Sequence, residues 1–163
     1  MIRAARLEAA FYADIADDVT ATNEALLVVI LFGIAYGLGR LGQPADALIG
    51  LLVQGLVFGL LFWVLWSTFA YFVGTRIFKG TGSIGAALRC AGFAFSPGIL
   101  QIFLFVPLIG FFVGLAALGL MLVAGVFAMR HALKIRTGEA VATNVISGVA
   151  VLLVISIVRQ FLG

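Results

Sequence analysis

The feature that most constrains this chain is the stretch from Leu48 to Val73, which is almost uninterruptedly apolar. A helix crosses the hydrocarbon core of a bilayer with about 20 residues, so this stretch is more than long enough to span it. Similar apolar stretches recur along the chain, separated by short polar segments. Together they predict an all-α integral membrane protein, with one five-span membrane domain over residues 21–163 and spans at about 21–39, 48–73, 86–106, 108–129 and 140–162.

Composition supports the membrane class. Apolar residues make up 64% of the chain and charged residues only 10%, whereas soluble domains carry about 25% charged residues. The basic residues are spread over several short loops and form no basic stripe, so nucleic-acid binding is not expected.

The distribution of Lys and Arg predicts the orientation. Eight of the ten lie in the N-terminal segment, in 74–89 and in 130–136, all on one side of the predicted spans, and only Arg40 and Arg159 fall on the other side. Basic residues resist translocation. We therefore expect the N-terminus in the cytoplasm and the C-terminus outside it, in the periplasm or extracellular space.

Residues 1–20 form an amphipathic segment that precedes the first span. Leu7, Phe11, Ile15 and Val19 recur every four residues, with charged residues on the opposite face. This pattern predicts an interfacial helix that lies on the cytoplasmic membrane surface. A solvated helix packed on the protein's own loops is the alternative.

Few residues could carry chemistry. The only histidine, His131, lies in a basic loop, and this arrangement does not predict a hydrolase triad. The seven acidic residues are mostly in the N-terminal segment, and Cys90 is the only cysteine, so no metal site is predicted. We predict no catalytic residue and no cofactor, and we expect the protein not to be an enzyme.

Arg89 is the one intramembrane candidate for an ionisable group that a transported ion would meet. It lies about one turn into the third span, so its side chain could extend to the headgroups or bond a carbonyl or lipid phosphate. Alternatively, Asn144 or Ser147 of the fifth span, or an anionic lipid, holds it and fixes the helix ends. Both interpretations stay open from the sequence.

Pro97 predicts a kink in the third span. Proline has no N–H, so a carbonyl near Phe93 loses its donor and must be satisfied by protein within the membrane. The Ser96 hydroxyl can do this, and Gln101 offers an amide to another helix. The break is either structural or the lining of a ligand site.

Three Gly-x-x-x-Gly pairs could mark close helix contacts, namely Gly33/Gly37, Gly55/Gly59 and Gly110/Gly114. With 20 glycines in 163 residues, this is about the number that chance would give. The motif is therefore weak support for any particular contact.

Four stretches follow one another along the chain, namely "GTRIFKG", "LRCAGFAFSPGIL", the short "VPLIG" hairpin and "RHALKIRTGEA". This order resembles the Yip domain family of Ypt/Rab-interacting membrane proteins, in its short prokaryotic form. The family pattern in the third span matches Arg89, Gly92-Phe93 and Pro97. The resemblance implies a five-helix membrane protein with a cytoplasmic N-terminus. Rab GTPase binding is not expected, because the long cytosolic arm and the Asp-Leu-Tyr-Gly-Pro motif do not precede the first span.

The function expected is therefore non-enzymatic. We expect a protein of the bacterial inner membrane that binds lipids or other integral membrane proteins, as an organiser or as an accessory or assembly subunit of a larger complex, for example an electron-transfer or photosynthetic assembly. The alternative is a small transporter or channel with Ser96, Gln101 and Asn144 along a polar path.

Overall fold

The computed structural model describes residues 9–42 and 48–162, without the side chains of residues 9, 10, 159, 161 and 162. A short helix is followed by five segments that are long and apolar enough to cross a membrane. The elements are α1 (Ala9–Asp17), α2 (Ala21–Leu38), α3 (Leu48–Arg76), α4 (Ile84–Ala94) with a 3₁₀ helix (Ser96–Phe105), α5 (Ile109–Leu133) and α6 (Thr137–Leu162). No strand occurs in these residues, and the predicted all-α, five-span membrane fold is confirmed.

The two ends of the bundle differ in what they hold. The N-terminal side is the end where α1, the α3–α4 loop and the α5–α6 loop lie, and the far side holds the other two connections. On the N-terminal side, α3 runs to Arg76, α5 runs to Leu133, and α6 begins at Thr137, each three or four residues beyond the apolar span expected from sequence. A helix satisfies its own backbone hydrogen bonds, so it continues after the apolar stretch ends.

Helices α2 and α3 pack closely through glycine. A Cβ atom added to Gly37 would lie 2.5 Å from the Leu51 carbonyl oxygen, and one added to Gly33 would lie 2.9 Å from that of Gly55. Two of the three Gly-x-x-x-Gly pairs therefore face each other across one helix contact, which brings the backbones together in the way such motifs allow.

Helix α4 lies at the centre of the bundle. The Ser83 hydroxyl accepts a hydrogen bond from the Ala86 N–H at 3.1 Å, which caps the first turn. From Ala86 to Ala94 every residue except Leu88 is buried. Most of these residues are small, and this lets the neighbouring helices approach α4.

The predicted break at Pro97 takes the form of a change in helix type. The α-helix ends at Ala94 and the chain continues as a 3₁₀ helix with Pro97 in its first turn. The Ser96 hydroxyl donates to the Phe93 carbonyl at 2.7 Å, which is the carbonyl that Pro97 leaves without its usual donor. This is the hydrogen bond expected from the sequence.

Aromatic rings pack around the break. The Phe95 ring lies 4.9 Å from that of Phe32, 5.9 Å from that of Phe62 and 5.8 Å from that of Trp66, in edge-to-face arrangements. Such pairs add to the stability gained by burial. They hold Phe95 at the junction of the α- and 3₁₀-helical parts of the third span.

Candidate functional site

Arg89 binds the end of α1. Its side chain is only 7% exposed, and it donates from Nε to the Ile15 carbonyl at 3.1 Å and from Nη2 to the Ala16 carbonyl. The last carbonyls of a helix have no intrahelical donor, and the partial negative charge there attracts a cation. Arg89 therefore caps α1, so these hydrogen bonds go neither to Asn144 nor to Ser147, and its guanidinium lies under α1.

The apolar face of α1 packs on the protein itself. Tyr12 and Ile15 are buried, the Phe11 ring lies 5.1 Å from that of Phe93, and the Cys90 thiol donates to the Tyr12 carbonyl at 3.6 Å. Burial, and then the nearby Cys90, raise the pKa of the Tyr12 phenol. The helix is amphipathic as predicted, but this face covers transmembrane helices rather than lipid.

The other two residues of the predicted interfacial face are Val19 and Leu7. Val19 follows α1 and is 73% exposed, so it is not buried against the bundle as Ile15 is. Leu7 lies outside the described residues. Among the described residues, the fourfold spacing therefore predicted the helix, and Phe11 and Ile15 contribute to the contact whereas Val19 does not.

A polar cleft of about 290 Å³ lies between the end of α1 and the end of α5. Asp17 lines it together with Arg130, His131 and Lys134. The His131 Nδ1 atom lies 2.8 Å from the Phe127 carbonyl oxygen, one turn earlier on the same helix. The fold thus brings the carboxylate of Asp17 to the basic segment that contains His131.

Helix α6 turns polar side chains into the bundle. Thr143, Asn144 and Ser147 are buried, and the Asn144 amide donates to the Leu122 carbonyl at 3.1 Å. Within the described residues, Asn144 Oδ1 and the hydroxyls of Thr143 and Ser147 have no hydrogen-bond partner. Unpartnered polar groups are costly inside a membrane, so this face of α6 is a candidate site.

A cavity of about 100 Å³ adjoins this face. Its walls include Phe62, Trp66, Phe95 and Met121, and Asn144 contributes a polar side chain. Neither Ser96 nor Gln101 lines it. Gln101 lies on the 3₁₀ helix, where its amide is 4.0 Å from the Met121 sulfur. The three residues expected along a polar path therefore do not meet in this cavity.

A larger groove separates α3 from α6 on the outer surface of the bundle. Its volume is about 550 Å³. Both walls are almost entirely apolar, and they are formed by Gln54, Val57, Phe58, Leu61 and Leu65 of α3 and by Val154, Ile155 and Val158 of α6. On α6 these residues lie in the far half of the helix, and on α3 they run from Gln54 to just past its middle at Leu65, so the groove opens toward lipid mainly on the far side.

A polar cleft of about 210 Å³ adjoins the far end of the groove and shares residues with it. Tyr36 and Arg40 line this cleft, and Arg40 Nη1 donates to Gln54 Oε1 at 3.4 Å. The Tyr36 ring stacks on that of Phe58, with centroids 4.8 Å apart. The apolar groove thus meets the cationic side chain of Arg40 near the end of α2.

Comparison with protein families decides the class of this membrane protein. The family model of the Yip1 domain matches residues 8–158, which is nearly the whole chain and includes α1 and all five spans. The chain belongs to the Yip1 domain family. The resemblance found in the sequence is thereby confirmed. No curated protein and no solved structure shows significant similarity to this Yip1 domain.

The Yip1 domain brings together residues that were not expected from the sequence to form a site. Arg40 and Gln54 are 14 positions apart and lie on different sides of a turn. Two signals were present, since Arg40 directly follows a span and Gln54 is polar within an apolar run. The contribution of α6 had no signal, because Val154 and Val158 resemble any other lipid-facing residues.

Among the described residues, no three His, Cys, Asp or Glu side chains lie together in a group that could hold a metal ion. Three buried polar side chains hydrogen bond to backbone carbonyls. Arg89 binds two carbonyls, Ser96 binds one and Asn144 binds one. The contacts of Arg89 and Asn144 join different helices, and that of Ser96 lies within the third span.

Proposed function

We propose that this Yip1 domain is a non-enzymatic membrane protein that binds lipids or the helices of other integral membrane proteins, as an organiser or accessory subunit of a larger complex. The single observation that carries the proposal is the groove between α3 and α6. It is large, it is apolar, and it opens sideways into the bilayer. Ligand sites commonly have volumes of roughly 300–1,000 Å³.

The use of the buried polar side chains supports a non-enzymatic role. Arg89, Ser96 and Asn144 each donate to a backbone carbonyl of the same chain. A catalytic group must instead reach the reacting atoms of a substrate. These three side chains thus serve the arrangement of the bundle.

The basic residues support a location in the bacterial inner membrane with the N-terminus in the cytoplasm. Arg76, Lys79, Arg130, Lys134 and Arg136 all lie on the N-terminal side of the bundle. Short loops rich in Lys and Arg stay on the cytoplasmic side. The groove then opens toward the outer leaflet.

Mild extraction of the native protein tests the proposal. The protein is solubilised in gentle detergent, and the lipids and proteins that remain bound are identified by mass spectrometry. We expect a reproducible set that is reduced by Leu61→Trp, because an indole there fills the groove. Leu115→Trp is the matched control, since Leu61 and Leu115 are 57% and 59% exposed and only Leu61 lines the groove. An identical set in both variants would contradict the proposal.

A second candidate function is transport of a small polar solute or ion. The unpartnered oxygen atoms of Thr143, Asn144 and Ser147 favour it, because pathways through a membrane are lined by polar groups. Purified protein in liposomes would then conduct a solute, and Asn144→Leu would abolish the flux while the protein stays folded. Flux that is unchanged by this substitution would reject the pathway.

A further inference from the structure

We infer that the groove between α3 and α6 binds one diacyl phospholipid of the far leaflet, with its phosphate at Arg40 and an acyl chain along the groove. This inference rests on the proposed function and makes it specific. It names the ligand class, the leaflet and the residues that recognise the lipid. Four properties of the site support it, namely its depth, its walls, its polar end and its extent.

The depth of the groove matches one leaflet. On α3 the groove begins at Gln54 and ends at Leu65. These positions are about 16 Å apart along the helix at 1.5 Å per residue. The hydrocarbon core of a bilayer is about 30 Å thick, so each leaflet contributes about 15 Å. The groove is therefore about as long as one leaflet is thick, and its Gln54 end lies beside Arg40, which follows the last turn of α2.

The walls suit an acyl chain. Val57 and Leu61 are exposed on the α3 side, and Val158 is exposed on the α6 side. The groove holds about 550 Å³ between them and its lining is almost wholly apolar. A chain bound there contacts fixed side chains on two walls, and such contacts add up to a substantial attraction. Lipid in the surrounding bilayer makes these contacts only transiently.

The polar end suits a phosphate. Arg40 comes two residues after the end of α2, at the membrane boundary. A guanidinium has five N–H donors in a planar fork that matches phosphate oxygens, so a phosphate can bind beside the contacts that Arg40 already makes. Gln54 and Tyr36 lie in the same cleft and can donate to further phosphate or ester oxygens. A lipid with net negative charge is favoured because the recognising group is a cation.

The extent of the groove favours a lipid over the helix of a partner protein. On α3 the groove ends at Leu65, whereas the helix itself continues to Arg76. A partner helix packs along the whole thickness of the bilayer and would place its apolar surface against Arg40 and Tyr36. A phospholipid instead has one charged group at the boundary and a chain that reaches the middle of the membrane.

Reconstitution tests the inference. The full chain is placed in vesicles that contain equal amounts of phosphatidylglycerol and phosphatidylethanolamine, extracted in mild detergent, and examined by native mass spectrometry. We expect one retained phospholipid per protein, enriched in phosphatidylglycerol. Arg40→Gln removes the charge but keeps a hydrogen-bonding group, and we expect it to lower phosphatidylglycerol retention about tenfold, because a charge-assisted contact is lost.

The groove variants and the controls complete the experiment. Leu61→Trp and Val57→Phe both fill the groove from exposed positions, and either one should lower retention if the other fails to fold. Arg76→Gln, at the N-terminal end of α3, and Leu115→Trp should leave retention unchanged. Thermal unfolding followed by circular dichroism shows that each variant is folded.

Each outcome decides the inference. Equal retention in Arg40→Gln and the wild type would overturn it. Loss in Arg40→Gln without loss in either groove variant would also overturn it, since it would indicate a phosphate contact without a seated chain. If the reconstituted protein retains no phosphatidylglycerol but the native extraction described above recovers partner proteins, this inference alone is contradicted. If the reconstituted protein retains no lipid and the native extraction recovers neither lipids nor partner proteins, the proposed function is contradicted as well.

Discussion

At the scale of residues, Arg89 shows how a charge is accommodated next to a membrane. Its two hydrogen bonds lead to the last turn of α1, where carbonyls lack donors of their own. The Ser96 hydrogen bond could be predicted because its partner, Phe93, is three residues away on the same helix. The partners of Arg89 are more than 70 residues away, so local sequence identified the need for an acceptor but not the acceptor.

We predict that Arg89→Leu releases α1 from the bundle. The substitution removes two hydrogen bonds from a charged donor, which costs about 2–4 kcal/mol of docking free energy. Hydrogen exchange of residues 9–17 should then accelerate strongly in detergent. Arg76→Leu, at an exposed position, is the control.

The comparison with Ser96→Ala sharpens this test. Ser96 makes one neutral hydrogen bond within its own segment, so its loss should lower stability by only about 1 kcal/mol. The folded fraction after extraction should therefore fall more for Arg89→Leu. Equal and negligible effects of the two substitutions would reject the anchoring role of Arg89.

At the scale of elements, the apolar pattern of the sequence predicts which segments cross the membrane but not where each helix ends. The apolar stretches of the sequence predicted all five spans, since lipid demands about 20 apolar residues for each crossing. The extensions of α3, α5 and α6 past the membrane could not be predicted, because charged residues mark where water begins and not where a helix ends. The 3₁₀ helix after Pro97 also lacked a signal, since such helices are rarely this long.

The α2–α3 contact gives a prediction whose sign depends on the site. Gly→Ala in the middle of a helix normally stabilises by about 1 kcal/mol. At Gly119 a Cβ atom would meet nothing within 4 Å, so Gly119→Ala should be neutral or stabilising. At Gly37 the Cβ atom would lie 2.5 Å from the Leu51 carbonyl oxygen, so Gly37→Ala should lower the unfolding temperature. Equal shifts in thermal unfolding would show that the close contact is absent.

At the scale of the whole molecule, most of the basic residues and the extended helix ends lie at the same end of the bundle. The helices that continue past their apolar stretches do so on the side that carries most of the basic residues. The sequence predicted this asymmetry because it depends only on counting. It could not predict that α1 packs on α4 and α5, because that contact depends on where the helices meet in space.

The orientation can be tested with single cysteines. Cys90 is buried and gives little background. We predict that Leu41→Cys, on the far side, reacts with a membrane-impermeant thiol reagent in intact cells, whereas Thr81→Cys reacts only after permeabilisation. The reason is that basic loops remain in the cytoplasm. The reverse pattern would contradict the orientation, and labelling of both from one side would contradict the five crossings.

The packing of α1 on α4 and α5 has a consequence for the order in which the helices assemble. The ribosome synthesises α1 first, yet the surfaces that receive it belong to α4 and α5. During synthesis the emerging N-terminal helix must therefore wait until the third and fourth spans have entered the bilayer. Packing of α1 onto the Arg89 guanidinium then indicates that insertion of the chain is nearly complete.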